Sequence, residues 1–264
     1  TTHTAAGSAV LEEQTAQTTT PNPEPTPEPD PTPNPGGTVS FSDVPTTHWA
    51  YPYVSRAAEN GWVKGVGNNQ FAPNDTLTFA GFYAMVVPIF AADELAAYQA
   101  PAGSPWWQPY MWVGGISLQC NSIWSVTYFA GPVDMAPDYY LEMQKSIDKH
   151  ANEPITRTDA ISIMWRVLGE DNATRYIPGV DEALKELLLS GVEMSILLEQ
   201  DKVSVCYAAG LISGDENGDL NLDGTLTRAE GCTMLCNLVD YMLQYGRMSG
   251  TGEYIPFQLP NSSK

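Results

Sequence analysis

FSDVPTTHWAYPYVSRAAENGWVKGVGNNQFAPNDTLT, residues 41–78, and CYAAGLISGDENGDLNLDGTLTRAE, residues 206–230, spell one pattern in two ways. Each runs from a helical stretch through a Gly-rich turn to a Leu-Thr step that opens another helix. Self-similarity of this kind marks a repeat module, in which neighbouring copies bury one another's apolar faces. Such modules hold partners more often than they turn over substrates. A further copy is distorted: SPWWQPYMWVGGI from Ser104 opens it and ITRTDAISIMWRVL from Ile155 closes it, with residues 117–154 between the two halves.

Helical spacing sets the expected elements. Trp49, Tyr53, Val54, Ala57 and Ala58 share one helical face, and Gly61 supplies a C-terminal stop. Thr78 caps an apolar helix from Phe79 to about Phe90, which Pro88 bends or ends. Tyr139, Met143 and Ile147, spaced by four, predict a helix from about Asp138 to His150 inside the insertion. The last copy opens near Ile177–Asp181, gains an amphipathic stretch at Glu182–Gln200, and closes with a helix over Leu226–Met242. The expected fold is mainly α, built from three helix-turn-helix repeats. The organisation reads as an N-terminal arm (1–20), a Pro-rich linker (21–40), repeats at 41–100, 101–170 and 171–246, and a tail (247–264). The tract from Pro21 to Gly37 alternates Pro with polar residues and is expected to stay extended.

Composition excludes several classes. The 264 residues carry 31 acids against 12 Lys and Arg, a net charge of -19 that repels nucleic-acid phosphates and anionic membranes. Five of the acids and no base fall in the first 40 residues, so the remainder is acidic too. Apolar residues make up 43 %, enough for a real core. The run from Leu95 to Val133 lacks charge but is interrupted by Pro, Gly, Gln, Asn and Ser, so no membrane span is expected and the chain is read as soluble. Residues 1–40 show no basic and apolar leader, and any export signal is expected to be absent from this sequence.

Cys120, Cys206, Cys232 and Cys236 match no zinc spacing. They read either as small buried hydrophobes or as one clasp between helices in an oxidising exterior. His3, His48 and His150 form no metal motif, and neither a Gly-x-Ser-x-Gly elbow nor a phosphate-binding Gly loop is present. Asp134 and Asp138 are one acid pair among many. An enzyme is not expected.

Taken together, the FSDV and HWA steps, the Gly turn, Phe71-Ala72-Pro73, Leu77-Thr78, Gly-Leu-Ile-Ser-Gly214 and Leu-Thr-Arg-Ala-Glu230 resemble the S-layer homology repeat. The resemblance covers about Phe41 to Tyr241. It implies a pseudo-threefold spindle of helices, an extracellular place at a bacterial cell surface or wall, and non-covalent attachment of an exported protein to a secondary cell-wall polysaccharide bearing acidic groups. The alternative is a self-assembling surface-layer or filament subunit, favoured by the inserted segments.

One motif has chemistry of its own. In Thr227-Arg228-Ala229-Glu230 the Thr and Glu form a capping box, which leaves Arg228 unexplained, because a cation in the first turn opposes the helix dipole. Arg157 holds the same place in ITRTD, whereas Thr78-Phe79-Ala80-Gly81 lacks both Arg and acid. A guanidinium beside free first-turn amides is a receptor for a carboxylate. Alternatively, each Arg pairs with an acid of a neighbouring repeat, such as Asp43 or Asp181. The resemblance names Arg157 and Arg228 as ligand contacts, with Asp43, Trp49, Gly65 and Gly214 shaping the grooves; for Trp49 the other reading is core packing. No cofactor is required, although Asp219, Asn221, Asp223 and Glu230 also fit the calcium-loop pattern of an EF-hand. Trp106, Trp107, Tyr110, Trp112, Trp124, Tyr128 and Phe129 read as a sugar or subunit surface, or as the core of the enlarged second repeat.

Overall fold

A computed structural model describes residues 39–117, 137–192, 201–215 and 218–260. The sequence-based readings for the arm, the linker, Cys120, Trp124, Tyr128, Phe129 and residues 193–200 lie outside the described residues. Within them the chain is mainly helical: α1 Tyr51–Glu59, α2 Phe79–Phe90, α3 Ala92–Ala97, α4 Gln108–Ser117, α5 Pro137–His150, α6 Arg157–Leu168, α7 Asp171–Tyr176, α8 Val180–Leu189, α9 Asp201–Ala208 and α10 Arg228–Gln244. Two short strands, β1 Arg247–Met248 and β2 Tyr254–Ile255, pair antiparallel near the end of the chain.

Three helices, α2, α6 and α10, start from one place. The residue before each N-cap is fully or almost fully buried: Leu77, Ile155 and Leu226. Buried backbone groups need partners, and these three supply one another. Leu77 N donates to Leu226 O at 2.8 Å, Leu226 N to Ile155 O at 3.0 Å, and Ile155 N to Leu77 O at 3.0 Å. The cycle closes with no donor or acceptor left over among its members. Short antiparallel bridges, Thr76 to Thr227, Thr78 to Pro154 and Thr156 to Thr225, flank it.

Local chemistry then starts each helix. Thr78, Thr156 and Thr227 sit in extended backbone, and each side chain accepts from the amide three residues on, at Gly81, Asp159 and Glu230. The last two complete capping boxes. The helix predicted from Phe79 to Phe90 is α2, with Pro88 two residues from its end. Pro88 has no N–H to give the carbonyl four residues back, so it interrupts the ladder shortly before the helix ends.

Around these helices the other elements pack. From α1, Val54, Ala57 and Ala58 are buried, and α1 lies along α10, tied by Arg56 Nη1 to Asp240 at 2.7 Å and by Cys236 Sγ to Tyr53 O at 3.6 Å. On α4, Gly114 lets the Tyr83 ring of α2 approach so closely that a Cβ would stand 2.3 Å from Cδ1. Ile147 of α5 is fully buried. The first part of the amphipathic stretch at Glu182–Gln200 lies in α8, which ends at Leu189, and α9 packs against α8 and α6.

Cys206, Cys232 and Cys236 are free, buried thiols. Burial raises the Cys206 thiol far above its ordinary range, and a hydrogen bond to Cys236 together with burial raises Cys232. The same hydrogen bond holds the Cys236 thiol below its ordinary range, and the three stay unbridged, so the interhelical clasp does not form between them.

If the cycle carries the fold, Leu77→Ala should cost about 2–5 kcal/mol, as for other fully buried Leu residues, whereas Thr78→Ala should cost about 1 kcal/mol for its cap. Urea unfolding followed by circular dichroism measures both. A Leu77→Ala loss no larger than the cap loss would show that the junction is not where the fold is held.

Candidate functional site

At the entrances of α6 and α10 the sequence predicts an open anion receptor of free amides plus guanidinium. The structure corrects the first half. Arg228 N donates to Asp75 O at 2.9 Å and Ala229 N to Pro73 O at 3.0 Å. Arg157 N donates to Gly224 O at 2.9 Å and Thr158 N to Leu222 O at 3.1 Å. Phe79 N and Ala80 N of α2 do the same with Glu153 O and Ala151 O. With the third amide held by the Thr cap, no first-turn amide is left for a ligand. The reason is cyclic packing: the turn leading into one junction lies across the helix start of another and fills it.

The guanidinium groups are placed differently from each other. Arg157 Nη1 lies 3.5 Å from Glu230 Oε1, with the two side chains 19 % and 34 % exposed. Its Nε is buried without a hydrogen-bond partner among the described residues. Arg228 instead donates Nε to Phe71 O at 2.9 Å and Nη2 to Lys64 O at 3.0 Å, and its Cζ lies 4.7 Å from the centre of the Phe71 ring. Burial pulls the Arg228 guanidinium below its ordinary value, partly offset by the charges of Asp75 and Asp43. Arg157 thus pairs with an acid from elsewhere in the chain, Glu230 rather than Asp43 or Asp181, while Arg228 bonds carbonyls with the charges of Asp75 and Asp43 acting on it. Asp181 lies in the first turn of α8.

Asp43 is a loop clasp. Its Oδ1 accepts from Phe71 N at 2.9 Å and its Oδ2 from Ala72 N at 2.7 Å, which fixes the turn whose carbonyl meets Arg228. Gly65 belongs to the same turn: a Cβ there would stand 2.6 Å from Gln70 O and 2.8 Å from the Phe41 ring. Gly214 holds the matching place in the later turn, where a Cβ would meet the Gly218 backbone at 2.4 Å. Both glycines are explained by close backbone approach.

Trp49 overturns its core reading. It precedes α1, is 57 % exposed, and stacks on His48 with centroids 5.8 Å apart. The paired steps Tyr53 with Cys236 and Arg56 with Asp240 show that α1 and α10 run in the same direction. By that offset Trp49 stands about level with Cys232, one turn into α10. Of the second aromatic group, Trp107 is buried, Tyr110 and Trp112 are partly buried, and Trp106 is 44 % exposed, so core filling accounts for most of the described members.

The calcium-loop pattern loses its last oxygen to other work, since Glu230 Oε2 accepts from Thr227 N at 2.8 Å and from its hydroxyl at 2.9 Å. Asp219 Oδ1 accepts from Asn221 N at 2.8 Å, closing a local turn. Among the described residues no group of three or more His, Cys, Asp or Glu is placed to hold a metal. A cavity of about 290 Å³ lies at the far ends of α2, α6 and α10, beneath β2 and Phe257, and none of the residues singled out from sequence lines it. Sequence reasoning missed the carbonyls of Lys64, Phe71, Pro73 and Asp75, because backbone acceptors leave no residue signature.

Removing the Asp43 carboxylate tests the clasp. Asp43→Ala strands two amides and should cost about 1–3 kcal/mol in urea unfolding, and Asp43→Asn, which keeps one acceptor oxygen, should cost clearly less. Equal losses would mean that the two bonds are not what the residue contributes.

Residues 40–80 match the S-layer homology domain family. The chain is also 42 % identical over 56 residues to a protein described as a cell surface protein from Thermoanaerobacter kivui. That stretch is 21 % of this chain and 7 % of the relative, so the chain spans a small part of the relative's length. Among the described residues no helix is long and apolar enough to cross a membrane.

Proposed function

We propose that the chain is a carbohydrate-binding anchor that holds an exported protein non-covalently on a bacterial cell-wall polysaccharide. The observation that carries this reading is the S-layer homology match over residues 40–80, the segment that supplies Asp43, the exposed Trp49 and the carbonyls around Arg228. The cell surface description of the Thermoanaerobacter kivui relative supports the location. Three copies of one module, sharing the Leu77, Ile155 and Leu226 cycle, are the architecture we propose for it.

The chemistry narrows the ligand. An exposed indole face suits stacking on a sugar ring, and a guanidinium suits an anionic substituent of such a ring. A chain of net charge -19 repels a polyanion at long range. Attraction has to come from short-range contact with individual cations. Arg157 and Arg228 are the contacts we assign, with Trp49 as the stacking face. Such a role involves no chemical turnover.

Sedimentation of the chain with purified bacterial wall sacculi tests the reading. The native chain should co-sediment, the Arg157→Gln/Arg228→Gln double variant should not, and Trp49→Ala should weaken retention by about two- to tenfold, the range of one aromatic contact. Retention should also fall in about 0.5 M salt, where the Debye length shrinks to a few Å. Undiminished binding by the folded double variant would overturn the assignment.

A further inference from the structure

At the end of the molecule away from the three helix starts, the cavity of about 290 Å³ combines an apolar body with charges of both signs. Its size is near the lower end of small-molecule sites. The floor is Val167 of α6 and Met242 of α10, both buried. Along one side runs a row of apolar side chains. Ile255 stands beside Arg247 in the β1–β2 pairing, and two residues on, the Phe257 ring lies against Phe90 of α2 with centroids 5.2 Å apart. Glu94, on α3, follows Phe90 by four residues and also lines the cavity.

This side is preformed. A two-stranded hairpin is marginal on its own, but here it is seated by close backbone contacts. A Cβ at Gly246 would stand 2.0 Å from Ile255 O, and one at Gly169, just past α6, would stand 2.4 Å from Met248 O. Met248 itself is buried. The backbone that carries Arg247 and Ile255 is therefore held against the helix ends.

Four charged residues line the cavity, two of each sign. Arg166 and Glu170 offset one another, with Nη1 and Oε1 3.5 Å apart. Arg247 and Glu94 are exposed, and neither forms an ion pair or a side-chain hydrogen bond among the described residues. They stand at the two ends of the row Ile255, Phe257, Phe90. A simple anion would be drawn to Arg247 and repelled by Glu94, and a simple cation the reverse. A ligand with a charge of each sign and apolar groups between them satisfies both. Being neutral overall, it also escapes the long-range repulsion that a chain of net charge -19 exerts on anions.

We propose that this cavity is a peptide site: it takes a short peptide with both ends free and apolar side chains, the carboxylate on Arg247, the ammonium on Glu94 and the side chains over Phe257 and Phe90. A guanidinium matches a carboxylate through two parallel hydrogen bonds. Two or three extended residues span roughly 7–11 Å, a length suited to a row of three side chains. The site uses none of Arg157, Arg228 and Trp49, and so goes beyond the anchor reading without depending on it.

Calorimetric titration of the full chain with leucyl-leucine, N-acetyl-leucyl-leucine and leucyl-leucine amide tests this, with the Met242 methyl resonance followed by NMR to place the ligand. Leucyl-leucine should bind and shift Met242. Blocking either end should weaken binding about tenfold or more, the size of one charge-assisted hydrogen bond. Arg247→Gln should bind the dipeptide and its amide alike while still preferring a free ammonium, and Glu94→Gln should lose the preference for the ammonium while keeping that for the carboxylate. Circular dichroism checks that both variants are folded.

No binding of leucyl-leucine, equal binding of the blocked peptides, or preferences unchanged in the two variants would overturn the proposal. A Met242 shift with methyl glucoside but not with leucyl-leucine would also overturn it, and would give the cavity to a neutral sugar. No sacculi enter these titrations, so their outcome is independent of the anchor reading.

Discussion

Everything else in the molecule is arranged around three single residues whose backbone groups satisfy one another in a circle. An isolated pair of extended segments leaves its outer N–H and C=O groups unpaired, and such edges need covering. Closing three segments on each other removes the edge altogether, so Leu77, Ile155 and Leu226 can be buried with their polar backbone intact. The cost of an orphaned buried amide is about 1–3 kcal/mol, which makes partial closure unfavourable. Closure also leaves room for a long stretch of chain before Ile155, since loop length costs little as long as the chain returns to Ile155 at the same junction.

The same closure decides where recognition is feasible. Turns that lead into the cycle lie across the neighbouring helix starts and take their first-turn amides. Those donors stabilise the fold and so are not available to a ligand, however favourable a helix N-terminus is for anions in general. Under the anchor reading proposed above, binding falls to side chains, chiefly Arg228 and the exposed face of Trp49.

Sequence made the local elements legible. Thr78, Thr156 and Thr227 announce their helices, and Phe79–Phe90, the inserted helix ending at His150 and the long closing helix follow from caps and apolar spacing. Around the candidate residues, the sequence named Arg157 and Arg228 but not what surrounds them. That Arg157 meets Glu230, 73 residues away, follows from the order in which junctions close, and no local pattern carries that order. The partners of Arg228 are carbonyls, which every residue has. Trp49 matched a helical face by spacing, but it stands one position before Ala50, the N-cap of α1, where the chain has not yet taken the helical path that would turn it inward.

Divergence among the junctions is concentrated where the backbone does not object. The cap Thr is needed for an amide in every helix start, and all three are present. The first residue of each helix lies outside the cycle and gives its amide to the turn across it, at Glu153, Gly224 and Asp75, so Phe79, Arg157 and Arg228 can differ in side chain without breaking the cycle's own bonds. The third residue is half-constrained. Gly81, with no acid, still has its amide capped by Thr78 at 3.1 Å, while Glu230 gives one oxygen to Thr227 and turns the other to Arg157. A capping acid thus has a spare oxygen by construction, and whether that oxygen neutralises a neighbour depends on the side chain that the cyclic order brings to it.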